Sequence, residues 1–171
     1  MKKHFYIFLD IDGVLWDYKW LKQEIENGKI KKGGLIQSFN SESVNALNYL
    51  FKKLSNKYEI YLVISSTYRK DMNKLKSLFK DYKLNISTIQ NICPLPSLNL
   101  TREEEILNFV VKNKAKNYLI IDDETNNLKN LFSQKNIIKT NIYNSSLNMD
   151  MVKNALKNIE RNENIDEKWT K

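Results

Sequence analysis

Three apolar, β-favouring runs in this chain each stop at a cluster of oxygen-bearing side chains, and helical patterns separate them. His4 to Leu9 ends at Asp10-Ile-Asp12-Gly13, Glu59 to Ile64 at Ser65-Ser66-Thr67, and Asn117 to Ile121 at Asp122-Asp123. Apolar strands alternating with amphipathic helices predict an α/β fold, a parallel sheet with helices on both faces. The carboxyl ends of parallel strands lie along one edge, and ligands bind in the crevice beyond it. Three segments far apart in sequence are therefore expected to converge.

The intervening patterns fill in the fold. From Asn40 or Ser41, Val44, Leu47, Leu50, Phe51 and Leu54 recur at helical spacing to a stop near Asn56. A second helix carries Met72, Leu75, Leu78 and Phe79, and Ile86 to Ile92 reads as a further strand closed by Pro94 and Pro96. Thr101 with Glu104 is a capping-box signature that sets Arg102 in the first turn of a helix. A short helix, a strand over Ile137 to Thr140 and a helix from Met149 to Ile159 follow. Residues 16–38 hold three of the four glycines and many charges and read as an irregular insert or flap. Residues 1–160 are expected to form one domain, with 161–171 a polar, frayed tail.

Composition excludes more than it assigns. With one cysteine, Cys93, no internal disulfide exists, and the thiol reads as packed in a reducing compartment. The apolar run before Asp10 is too short for a signal peptide or a membrane span, so a soluble, cytoplasmic protein with no membrane partner is expected. Net charge is +8, yet only Arg69, Arg102 and Arg161 are arginines and the lysines are spread along the chain. The charge permits a polyanionic partner without identifying one.

The clusters carry the chemistry. Alternation along an extended segment lets Asp10 and Asp12 face one side while Ile11 enters the core. Four carboxylates in one crevice, Asp10, Asp12, Asp122 and Asp123, repel one another unless a cation compensates. Hard oxygen ligands without His or Cys suit Mg²⁺, which keeps positions for water or a substrate phosphate. Arg102 at a helix N-terminus offers a donor fork for phosphate oxygens, and Ser65 adds a hydroxyl. This set matches phosphoryl transfer.

The run Phe-Leu-Asp10-Ile-Asp12-Gly13-Val14-Leu15 resembles the first motif of the haloacid dehalogenase (HAD) superfamily, and Ser65, Arg102 and Asp122-Asp123 fall where its other motifs would. Within it, the chain is most similar to the small HAD domains of Swiss Army Knife RNA repair proteins. That likeness rests on Phe39 with Val44-Asn-Ala-Leu-Asn, Ser65-Ser-Thr-Tyr-Arg69, Arg102-Glu-Glu-Glu-Ile106, Leu119-Ile-Ile-Asp-Asp, Thr140 and Ser146-Leu-Asn148. The resemblance implies a Rossmann-like fold with a small or absent cap and a Mg²⁺-dependent phosphatase. It implies that Asp10 attacks phosphorus and that Asp12 protonates the leaving oxygen and then activates water. It further implies that Asp10, the Asp12 carbonyl and one of Asp122 or Asp123 hold the metal, while Ser65 and Arg102 grip the phosphoryl group. Val14 replaces the commoner Thr, and Arg102 stands where many members have Lys, a place Lys112, Lys114 or Lys116 could also fill. The expected substrates are RNA or DNA ends or nucleotides. A small-metabolite phosphatase and a catalytically silent nucleic-acid-binding module are the alternatives.

Several residues carry two readings. Ser65, Ser66 and Thr67 can cap the following helix or bind phosphate, and both roles can coexist in Ser66. Arg69 can bind a distal phosphate or pair with an acid on its own helix. Asp122 and Asp123 can cap a helix. His4 reads as a strand residue rather than a ligand. Trp16, Tyr18 and Trp20 can stack a nucleobase or form the core of the insert.

Overall fold

The computed structural model describes residues 2–30 and 38–169. Five strands, β1 (Lys3–Leu9), β2 (Tyr58–Ile64), β3 (Ile89–Pro94), β4 (Tyr118–Asp122) and β5 (Ile137–Lys139), form one parallel sheet in the order β3-β2-β1-β4-β5. The helices are α1 (Tyr18–Glu26), α2 (Ser41–Ser55), α3 (Met72–Asp81), α4 (Arg102–Lys112), α5 (Leu128–Leu131) and α6 (Met149–Trp169). The chain steps outward from β1 through β2 to β3, then returns to place β4 on the other side of β1. This reversal opens a crevice beyond the carboxyl ends of β1 and β4.

Alternation along β1 sorts the core into two layers. Phe5, Ile7 and Leu9 pack with Leu47, Leu50 and Phe51 of α2, Leu75 and Phe79 of α3 and Val152 of α6. Phe8 points the other way, toward Ile106 of α4, Leu128 of α5 and Phe132. Helices thus cover both faces, and the central strands are near-continuously apolar, as a doubly covered parallel sheet requires.

Beyond single-residue shifts at strand ends, three differences from the sequence reading stand out. Ile86–Thr88 is a 3₁₀ turn and β3 runs from Ile89 to Pro94, because Asn85 accepts from Ser87 N–H and holds the chain in a turn first. The insert is not wholly irregular. Its first part is the nine-residue α1, started by Asp17, whose carboxylate accepts from Trp20 N–H at 2.9 Å; residues 31–37, with Gly33 and Gly34, lie outside the described residues. The last helix does not fray at Ile159 but continues to Trp169, through a stretch with no glycine or proline to stop it. No helix among the described residues is long and apolar enough to cross a membrane.

Candidate active site

The strands bring their polar tips level. Asp10 N–H bonds Ile121 C=O at 3.0 Å, Ser65 N–H bonds Leu9 C=O at 3.0 Å and Thr140 N–H bonds Asp122 C=O at 3.1 Å, which ties the ends of β1, β2, β4 and β5 together. Beyond Asp10 the chain makes one helical turn, Leu15 N–H to Ile11 C=O at 2.8 Å, with Ile11 fully buried. Gly13 passes that turn at φ +74°, where a Cβ would lie 2.7 Å from Asp123 Cγ. Glycine is the residue that permits this approach.

Asp10, Asp122 and Asp123 form the acidic centre, each offering an oxygen within 4.8 Å of the others'. Arg102, the first residue of α4, reaches in from a capping box made by Thr101 and Glu104. Its Nη1 lies 2.9 Å from Asp122 Oδ2 and 3.4 Å from Asp10 Oδ2. Burial and then the Asp122 carboxylate push Asp10 up to about 7, against the pull of Arg102. Burial likewise raises Asp122 and Asp123, Arg102 opposing it in both. Burial disfavours the Arg102 charge, but Asp10 and Asp122 outweigh it and hold the guanidinium above its ordinary pKa. One arginine does not neutralise three carboxylates. All the donors are hard oxygens, so the centre fits a divalent cation of the magnesium type.

The two aspartates of β4's end differ. Asp122 is fully buried, and its oxygens take Arg102 Nη1 and Glu124 N–H. Asp123 is half-buried and faces Gly13, which leaves it the freer carboxylate. Lys112, Lys114 and Lys116 are exposed at the far end of α4, whereas Arg102 is at the carboxylates.

Ser65 is buried with its hydroxyl unpartnered, as a donor kept for a ligand requires. Ser66 serves twice, hydrogen-bonding Asp10 and accepting from Tyr68 N–H at 3.4 Å. Arg69 Nη1 pairs with Glu105 Oε2 at 2.7 Å, so it has an acid partner, on α4 and not on its own helix. Asp12 also departs from the four-carboxylate picture. Its Oδ1 accepts from the Trp16 indole at 2.9 Å, and its side chain is outside the Asp10, Asp122 and Asp123 cluster. The single helical turn after Ile11 replaces the extended segment that would have kept Asp10 and Asp12 parallel.

Residues 6–150 match the family model described as the HAD domain in Swiss Army Knife RNA repair proteins. The chain belongs to that family. It is therefore a HAD-type hydrolase domain by descent. No curated protein matches it significantly in sequence. A haloacid dehalogenase-like family hydrolase from Streptococcus pneumoniae is similar at 15% identity over 90% of each chain, with a TM-score of 0.38.

Two residues of this HAD domain escape a reading of its motifs. Trp16 is buried, as its core reading requires, and its N–H also bonds Asp12. Glu105 looks like one more acid in a helix first turn, yet it is buried and takes both Arg69 and Leu98 N–H, the latter at 2.9 Å. Its place beside Ile106 on the apolar stripe of α4 was the available signal.

Proposed function

We propose that this HAD domain is a Mg²⁺-dependent phosphomonoester hydrolase working through an aspartyl-phosphate, with nucleic-acid ends or nucleotides as substrates. The observation that carries the reading is the buried Asp10 carboxylate set among Asp122, Asp123 and Arg102 at the end of the central strand. Asp10 attacks phosphorus and its C–O–P linkage is the covalent intermediate; the leaving oxygen departs with a proton from Asp12, which then takes one from the attacking water. The Arg102 guanidinium and the Ser65 hydroxyl hold phosphoryl oxygens, and the Asp122 contact keeps Arg102 aimed. Asp10, Asp123 and the Asp12 backbone carbonyl would hold the divalent cation, which when bound supplies positive charge to the phosphoryl oxygens and favours ionised Asp10.

The nucleic-acid substrate is supported by the family's description and by the small size of α1, the one described helix between β1 and α2. Asp10→Asn is expected to reduce hydrolysis of 4-nitrophenyl phosphate to background while circular dichroism stays unchanged, and EDTA to silence the wild type. Undiminished turnover in Asp10→Asn refutes the mechanism. A panel of oligonucleotide 5′ and 3′ phosphates, nucleotides, sugar phosphates and phosphopeptides tests the substrate. Turnover of sugar phosphates with none on nucleotides or oligonucleotide ends refutes the nucleic-acid reading alone.

A further inference from the structure

We infer that Trp16 is a positioning residue for leaving-group departure: its indole N–H holds one oxygen of Asp12 and leaves the other for the substrate. The inference rests on the reading of Asp12 as acid and base. Trp16 stands four residues after Asp12, across a turn that Leu15 N–H to Ile11 C=O closes at 2.8 Å, and the two side chains meet. The indole Nε1 lies 2.9 Å from Asp12 Oδ1, and a backbone bridge joins the same two residues. The ring is 5% exposed and meets Tyr18 edge to face at 5.5 Å, so it has little room to turn.

An indole N–H donates and never accepts. Oδ1 therefore acts as an acceptor throughout, and exchange of a proton with substrate or water goes through Oδ2. Asp12 lies in a loop after β1, outside any strand. A carboxylate on a loop needs a fixed partner to present one oxygen consistently, and a general acid must be aimed before it is useful. A buried indole also needs an acceptor for its own sake. The experiment must therefore separate aiming from packing.

Trp16→Phe keeps an aromatic ring and removes the N–H. Across phosphate monoesters of graded leaving-group pKa, kcat/KM is expected to fall on the order of 10-fold to 100-fold for alkyl and phenyl phosphates, which need a proton donor. For 4-nitrophenyl phosphate, whose leaving group departs without one, it is expected to fall less than about 3-fold. The dependence on leaving-group pKa steepens accordingly. A loss uniform across the series, or no loss, overturns the inference. In an Asp12→Asn background Trp16→Phe is expected to add nothing further, and an independent additional effect there also counts against it. If Asp12→Asn itself leaves the series unchanged, the reading of Asp12 as acid fails and takes this inference with it. Should Trp16→Phe not fold by circular dichroism, 3-benzothienylalanine at position 16, which puts sulfur in place of the N–H in the same shape, gives the same readout.

Discussion

Gly13 is where backbone and chemistry press most closely. At φ +74° an L side chain is strained, and a Cβ would sit 2.7 Å from Asp123 Cγ and from Asp123 Oδ2, so something has to shift. Asp123 Cβ is also only 2.9 Å away, so turning the carboxylate alone does not relieve the contact and Asp123 or the turn has to shift as a whole. Gly13→Ala is expected to cost about 1–2 kcal/mol of stability from the left-handed conformation alone, before any shift of Asp123 or of the turn itself. Displacing Asp123 is expected to weaken the divalent cation as well. Thermal melts read the first effect, and the Mg²⁺ concentration for half-maximal activity reads the second. Wild-type Mg²⁺ dependence in both Gly13→Ala and Asp123→Asn would show that Asp123 is not a ligand.

Arg69 and Glu105 tie two elements together. Their 2.7 Å pair joins the 3₁₀ turn after β2, Thr67–Lys70, to α4, and Glu105 also takes Leu98 N–H from the loop before α4. Ser65 and Arg102 are thereby carried on braced segments. Arg69→Met leaves Glu105, 3% exposed, charged and short of its partner, at a cost of roughly 3 kcal/mol. Urea denaturation measures that cost, and Glu105→Gln, which keeps an acceptor for Leu98, is expected to cost less. Equal stability of Arg69→Met and the wild type would make the pair ornamental. Elements were legible where a periodic apolar face met a cap, as in α2 behind Asn40 and α4 behind Thr101. Helix α1 was not, because it lies in a segment crowded with charges and glycines and none of its residues is buried; Asp17 was its cap signal. The same holds for the site. Asp10, Ser65 and Asp122 stood out because they interrupt apolar strands. Trp16 and Glu105 belong to residue types that also serve as core and as a helix first turn, and only the fold tells which.

Over the whole molecule, a chain of net charge +8 gathers three carboxylates in one crevice. A positive net charge favours the approach of anions in general, while the centre itself would repel them without a cation. That tension has a signature in pH. Asp10 is raised from its ordinary 3.8 to about 7, chiefly by burial, and Asp122 and Asp123 are raised in the same direction. Between those two values the folded protein binds more protons than the unfolded chain, so this contribution to stability is complete below about pH 4 and is lost as pH rises through 7. A divalent cation needs the ionised carboxylates, and its binding releases the proton that Asp10 holds below pH 7. Added Mg²⁺ is therefore expected to raise Tm more at pH 8 than at pH 5.5. In Asp10→Asn the metal-free decline between pH 4 and 7 should flatten and most of the Mg²⁺ response should disappear. Differential scanning fluorimetry at both pH values, with and without Mg²⁺, measures all of this. An equal Mg²⁺ response at pH 5.5 and pH 8 would mean that the cation binds somewhere other than at Asp10.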